Sequence, residues 1–277
     1  MKRVVITSTG AVTPIGLDTQ TLWGNIVQGH HGFAPITSFD PSRLEVKCAA
    51  EIKNWDPEKM GLSKKEARRM DRYTQFAMAA AKQLMDSAGD LSRIDPYRAG
   101  VIVGSGIGGF ETTTSEYAKF MKKGPNRVSV FLVPMMISNM AAGQIAIQYG
   151  FKGDNFCIVT ACSTGGNCIG EAFRKIKHGY LDLAIAGGSE AAINEFALAG
   201  FQNMNTLSKS TDCDRLSIPF DKERSGFVMG EGAGLVLLEE YEHAKRRGAQ
   251  ILAEVVGYGA TDDAHHITGP SPDGEGA

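Results

Sequence analysis

The chain has no apolar run of membrane-spanning length. Its opening, Met1-Lys2-Arg3-Val4-Val5-Ile6-Thr7-Ser8-Thr9-Gly10, lacks the apolar core of an export signal and reads directly into a strand and a glycine turn. Neither sign of charge is in excess. The 29 Lys and Arg against 31 Asp and Glu give a net charge of -2, so there is no global pull toward nucleic acid or anionic membranes. Cysteine is sparse. The five residues, Cys48, Cys157, Cys162, Cys168 and Cys213, form no C-x-x-C, and an odd count with no framework spacing indicates neither a zinc site nor a disulfide scaffold. Reduced thiols in a cytoplasm are expected. No repeat of solenoid length is present.

What is abundant is glycine, 33 of 277 residues, alongside an ordinary 43% hydrophobic content. The glycines gather at the ends of apolar runs, as in a layered α/β protein whose backbones approach closely. Strands are expected at Arg3–Thr7, Ala99–Val103, Phe156–Val159, Leu181–Ala186, Gly234–Glu239 and Ile251–Tyr258. Most are continuous rather than alternating, which suits a sheet buried on both faces. Helices are expected between them. Ser63-Lys64-Lys65-Glu66 matches a capping box. After it, Tyr73, Phe76, Ala77, Ala80, Ala81 and Leu84 mark one apolar face ending at Gly89. Asn139 to Gln148 reads as a packed interior helix, and Tyr241 to Arg247 as a charged surface helix. The pattern predicts an α/β fold with a mixed, mostly parallel sheet covered by helices. Gly124 to Val130 and Leu207 to Arg224 read as loops, and Asp262 to Ala277 as loop-like.

One cysteine has a chemically suggestive setting. Phe156-Cys157-Ile158-Val159 reads as a buried strand, Thr160-Ala161 as a turn, and Cys162-Ser163-Thr164-Gly165-Gly166 as the opening of a helix running through Ile176. A thiol at a helix N-terminus is favoured as the thiolate, and small neighbours let a substrate carbonyl approach backbone N–H groups. The ordinary fate of a free cysteine is a buried small hydrophobe, and both readings stay open on chemistry alone.

Other motifs are weaker. Gly104-Ser105-Gly106-Ile107-Gly108-Gly109 follows a strand and formally contains G-x-G-x-x-G, but no clean helix is expected after it and no acid stands about 20 residues on. A glycine turn lining a pocket with Ile107 is the better reading. No histidine offers itself as a base for Cys162. His178 falls near the far end of the same helix, about 24 Å away at 1.5 Å per residue. His30, His31 and His243 are expected to be solvated, and His265 and His266, beside Thr268, to lie at an entrance. Lys64, Lys65, Arg68 and Arg69, with Arg72 close by, form a basic cluster. It reads either as a solvated face or as a docking patch for an acidic partner.

Several segments in order carry a resemblance: Thr160-Ala161-Cys162-Ser163-Thr164-Gly165, Gly104-Ser105-Gly106-Ile107-Gly108-Gly109, Ile218-Pro219-Phe220-Asp221-Lys222 and Gly226-Phe227-Val228-Met229-Gly230-Glu231-Gly232-Ala233-Gly234. Thr13-Pro14-Ile15-Gly16 and Leu252-Ala253-Glu254-Val255-Val256-Gly257-Tyr258-Gly259 fit as well. Over essentially its whole length the chain resembles the β-ketoacyl-acyl carrier protein synthases, of the elongating type II class. The resemblance implies a thiolase-like layered fold, with residues 1–250 as the N-terminal domain and 251–277 as the beginning of a C-terminal one, in a homodimer. It implies that Cys162 accepts the acyl chain from acyl carrier protein as a thioester, after which malonyl-carrier protein is decarboxylated and its carbanion attacks. The Cys162 N–H matches one oxyanion donor. Ile107 and Phe201 match residues lining and gating the acyl pocket. Thr268 matches a position near the pantetheine arm, and Val133-Pro134-Met135-Met136-Ile137-Ser138 a dimer-contact segment. Lys64, Lys65, Arg68, Arg69 and Arg127 resemble the carrier-docking surface. No cofactor is implied, because the substrates ride on the phosphopantetheine of acyl carrier protein.

In this family two histidines, a lysine and the second oxyanion donor belong to the second half, and none is matched here. The expectation is a nucleophile without its condensing partners, so that these residues alone do not condense. A thiolase-type enzyme using coenzyme A thioesters and a non-catalytic chain-length subunit are the alternatives. The presence of Cys162 speaks against the second.

Overall fold

A computed structural model describes residues 1–277. The elements in chain order are β1 (Val4–Val12), α1 (Thr19–Val27), β2 (Ala34–Pro35), β3 (Cys48–Ala49), α2 (Lys64–Ala67), α3 (Arg72–Ser87) and β4 (Ala99–Gly104). There follow α4 (Phe110–Lys123), α5 (Leu132–Met136), α6 (Met140–Tyr149), β5 (Asn155–Phe156), α7 (Thr164–Lys177), β6 (Leu183–Glu190), α8 (Glu195–Asn203), β7 (Gly232–Glu240), α9 (Tyr241–Arg246) and β8 (Ala253–Val255). Six strands form one sheet in the order β5-β4-β6-β7-β1-β8, and β2 pairs with β3 separately.

The continuous apolar runs are explained by burial on both faces. Along β4, Ala99, Val101 and Val103 join the core beneath α3 and α6, while Ile102 joins the core beneath α7. Leu183 and Ile185 of β6 point to the first core, Ala184 and Ala186 to the second. Successive residues alternate between faces, and both faces are covered, so every position is apolar. The expected mixed sheet is present, with a larger antiparallel share than the strand–helix alternation suggests. Ladders β4–β5 and β4–β6 are parallel, whereas β1–β7, β1–β8 and β6–β7 are antiparallel.

Three boundaries differ from expectation for identifiable reasons. The helix anticipated from Ser63 is two helices. The capping box at Ser63 and Glu66 forms, but α2 ends at Ala67 and Asp71 starts α3. Asp71 has the extended backbone of an N-cap and accepts from the N–H and hydroxyl of Thr112, at 2.9 and 2.6 Å, so it cannot also be helix interior. Secondly, β5 stops at Phe156. Beyond it the chain leaves the ladder, and Val159 is 54% exposed rather than buried. Lastly, Ile251–Tyr258 contributes only Ala253–Val255, an edge strand paired with Val4–Ile6.

Candidate active site

Cys162 sits in a single 3-10 turn, Ala161–Ser163, that runs straight into α7. The residue before it, Ala161, has φ of 49°, in the left-handed region that side chains with a Cβ avoid, at a cost of about 1–3 kcal/mol. The surrounding hydrogen bonds over-determine that turn. Ser163 N–H donates to the Thr160 carbonyl at 3.1 Å, and Thr160 N–H to Thr164 Oγ1 at 2.9 Å. The hydroxyls of Thr160 and Ser163 both donate to Asn167 Oδ1, at 2.7 and 2.8 Å, and Asn167 Nδ2 donates to Tyr258 Oη at 2.6 Å. Asn167 therefore binds both sides of the nucleophile's turn to one helix position. Sequence reasoning missed it, although the four-residue step from Ser163 to Asn167 on one helix face was readable.

The alternative fate of a buried hydrophobe can be weighed against the other thiols. Cys48 and Cys168 are buried, and burial pushes Cys168 up to about 11. Cys157 is half-buried, and its thiol is also raised by burial. Cys162 is exposed, and its backbone N–H donates to no group of the chain. An exposed thiol beside a free N–H at a strained turn has the arrangement of a nucleophile with an oxyanion donor.

The glycine turn closes one side. Contrary to expectation a helix, α4, begins directly after Gly109. It is still no dinucleotide site, because the chain itself fills the space. A Cβ on Gly109 would lie 2.1 Å from the Met135 carbonyl oxygen, and one on Gly108 2.6 Å from Ser138 Oγ. A Cβ on Gly106 would lie 2.8 Å from Glu190 Oε2 and 3.4 Å from the Ala161 carbonyl oxygen. The turn thus lies between the nucleophile's turn and the Met135–Ser138 segment, with Ile107 37% exposed on it. Gly104 permits a second approach, since a Cβ there would meet the Ile158 carbonyl and Thr164 Cγ2, each at 2.4 Å.

Phe201 on α8 is half-buried, packs edge-on to Phe227 at 5.8 Å, and shares an apolar cluster with Phe110 at the start of α4. The glycine turn that carries Ile107 lies against the Ala161 turn, and Phe201 shares its cluster with Phe110, the residue that follows that glycine turn. Thr268 is exposed and bonded within its own loop, with its N–H donating to His266 Nδ1 at 3.1 Å. Of the histidines, His178 is at the far end of α7, and His265 and His266 are exposed. His243 is not solvated as expected. It faces the buried carboxylate of Glu239, which also takes a bidentate pair from Arg247. A polar cleft of about 680 Å³ lined by Glu51, Trp55, Arg72, Asn194 and Glu231 does not include Cys162.

Lys64, Lys65, Arg68 and Arg69 are exposed, with Lys64 paired to Glu58 at 2.9 Å, a bond that raises its pKa. Arg69 lies over the Phe131 ring at 5.1 Å, so the cluster adjoins the segment carrying the exposed Arg127. Arg72 is not part of it. Its guanidinium turns inward onto the buried Glu231, at 2.7 and 2.9 Å, and the Ile52 carbonyl.

Comparison with known proteins identifies the family and the fold. The beta-ketoacyl synthase N-terminal domain family matches residues 1–244. The 3-oxoacyl-[acyl-carrier-protein] synthase 2 of Staphylococcus aureus (strain COL) is 50% identical over 276 residues, covering 99% of this chain and 66% of that protein. The chain thus spans about two thirds of the length of the curated relatives it matches. Among solved structures, the ishigamide ketosynthase/chain length factor superposes with a TM-score of 0.89 at 30% identity, covering 99% of this chain and 67% of the other. A type II polyketide ketosynthase in complex with its acyl-carrier protein gives 0.87 at 29%, again over 99% and 67%. With a family match over most of its length and relatives 50% identical over nearly the whole chain, the chain belongs to the beta-ketoacyl synthase family and contains its N-terminal domain.

Proposed function

We propose that this chain carries the acyl-accepting part of a 3-oxoacyl-[acyl-carrier-protein] synthase of fatty acid elongation, a cytoplasmic homodimer. The observation that carries this is the exposed Cys162 thiol on its strained turn, with an unengaged N–H at the start of α7. The thiolate attacks the thioester carbon of an acyl group on carrier-protein phosphopantetheine. A new C–S bond forms, the pantetheine thiolate leaves and takes up a proton, and no resident cofactor takes part. The Cys162 N–H meets the oxyanion in this step. Ile107 and Phe201 receive the acyl chain, and Thr268 stands near the pantetheine arm in the assembled enzyme. Lys64, Lys65, Arg68, Arg69 and Arg127 dock the acidic carrier, and Val133–Ser138 meets the partner subunit. Residues 1–250 form the nucleophile's domain, and 251–277 begin the second.

His178 lies at the far end of α7 and His243 is engaged by Glu239, so acyl transfer rather than condensation is the step these 277 residues support. Incubation with an acyl-carrier protein thioester, followed by mass spectrometry, tests the reading. An acyl adduct on Cys162, absent from C162A, is expected. Adducts on Cys48 or Cys213 instead would overturn it, and acylation from coenzyme A but not from the carrier would favour the thiolase-type alternative.

A further inference from the structure

The hydrogen-bond chain that fixes the nucleophile's turn does not end at Asn167. Tyr258 lies just past β8, and its Oη accepts from Asn167 Nδ2 at 2.6 Å. The ring beneath that hydroxyl covers one face of α7. A Cβ on Gly170 would overlap the ring, and the Arg174 guanidinium carbon lies 4.8 Å from its centroid. Asn167, Gly170 and Arg174 follow the helix repeat, so one side of α7 takes the whole phenol. Tyr258 also packs against the apolar core beneath α7. The stretch before it is anchored to the sheet. Ala253–Val255 pairs with Val4–Ile6, and Arg3 grips Glu254 through Nε and a terminal nitrogen, at 2.8 and 2.6 Å. Tyr258 is thus held by the sheet edge on one side and by α7 on the other, and it is glycine at position 170 that lets the ring so close.

We propose that Tyr258 is a positioning residue for Cys162, acting through Asn167, so that the stretch after β8 sets the reactivity of the nucleophile. The inference rests on the acyl-accepting role proposed above for that thiol. The route is short. The hydroxyls of Thr160 and Ser163, one on each side of Cys162, share Asn167 Oδ1, and the amide serves both only while its plane is fixed. Tyr258 Oη fixes that plane from the amide's other end. Ala161, between the two hydroxyl residues, keeps a left-handed backbone that persists only where its surroundings over-determine it. Without the phenol hydroxyl the amide turns, Thr160 and Ser163 lose their common acceptor, and Ala161 relaxes toward ordinary backbone. The exposed sulfur and the Cys162 N–H then leave the arrangement in which they meet a thioester together.

Tyr258→Phe removes the hydroxyl and keeps the ring. Two rates on the full chain read the outcome: alkylation of Cys162 by iodoacetamide, which needs no carrier protein, and single-turnover acylation from an acyl-carrier protein thioester. Y258F should be slower in both by about three- to ten-fold, the loss expected for one hydrogen bond. The carrier concentration that gives half the limiting acylation rate should stay unchanged, whereas a general loosening of the fold would move both. Gly170→Ala, which pushes the ring off α7 and leaves the Asn167 amide in place, should slow both rates as much. N167A should be at least as slow, and Y258F/N167A no slower than N167A alone, because Tyr258 acts only through that amide. Wild-type alkylation rates in Y258F and G170A, or additive losses in the double variant, would overturn the proposal. A wild type that is alkylated but not acylated would instead overturn the acyl-accepting reading, and the alkylation rates would still decide the role of Tyr258.

Discussion

Glu190 holds Gly106: its Oε2 accepts the Gly106 N–H at 2.7 Å, while Oε1 accepts the Ser105 hydroxyl at 2.8 Å. Ser105 Oγ in turn accepts the Gly108 N–H at 2.9 Å, so one carboxylate at the end of β6 fixes the turn that presents Ile107. Burial pushes Glu190 above the usual carboxylate range and outweighs the hydrogen bonds from Ser105, Gly106 and Ile107 that pull it down. Glu190→Gln replaces one acceptor with an N–H group facing another N–H group. It should lower stability in chemical denaturation by about 1–3 kcal/mol. Because the folded-state value is raised, the titration contribution of Glu190 is present below the ordinary glutamate range and lost as pH rises through the folded value. The gap between wild type and E190Q should therefore be widest in acid and narrow with rising pH. An E190Q protein as stable as wild type at every pH would remove Glu190 from this role.

Much of the sheet was readable because its strands are buried on both faces, and only apolar residues satisfy both. The order of motifs is what singles out Cys162, Ile107 and Phe201 in the sequence. What was not legible depends on partners far apart in sequence. Asp71 breaks the α2–α3 helix because of Thr112, 41 residues on. His243 is turned inward by Glu239, whose burial follows from the packing of α3 against β7. Glu190 is a single acid at a strand end, and its role is visible only once β4 and β6 lie in parallel with Gly104 opposite Gly188.

The left-handed Ala161 makes a second prediction. Ala161→Gly removes the conformational penalty and should leave stability equal or raise it by up to about 1 kcal/mol. Ala161→Val places a β-branched side chain in the same region and should cost about 1–2 kcal/mol. The rate of Cys162 alkylation by iodoacetamide reads the turn directly. A161V should be slower than A161G, and equal rates would show that the turn does not set the thiol's reactivity.

Two glycines should respond oppositely to alanine. Gly109→Ala drives a Cβ to 2.1 Å from the Met135 carbonyl, which must move with its helix, at about 1–3 kcal/mol by thermal denaturation. Gly143 lies within α6, where a Cβ meets nothing nearer than 3.7 Å, so Gly143→Ala should stabilise by about 0.5–1 kcal/mol. Loss of stability in both would mean that space is not what separates them.

Asp182 sets the acid limit of one edge of the fold. It precedes β6 and takes a bidentate pair from Arg98, with Nε at 2.6 Å and a terminal nitrogen at 2.7 Å, while Lys2 approaches at 3.4 Å. Arg98 also donates to the Gly179 carbonyl at 3.0 Å, and the Asp182 N–H returns to the Arg98 carbonyl at 2.9 Å. These bonds join the start of β4, the turn after α7 and the chain's N-terminus. Hydrogen bonding and charge from Arg98 hold the Asp182 carboxyl below its ordinary range. A depressed value means that the contribution is complete above the ordinary aspartate pKa of about 3.9 and is lost as pH falls through the folded value. Asp182→Asn keeps the shape and removes the charge, so at neutral pH it should cost about 1–3 kcal/mol. Below about pH 4 the wild type begins to lose the same interaction by protonation, and the two unfolding free energies should converge. Urea denaturation of both proteins from pH 7 down to 3 measures this. A gap that stays constant across the range would show that Asp182 acts through shape and neutral hydrogen bonds alone.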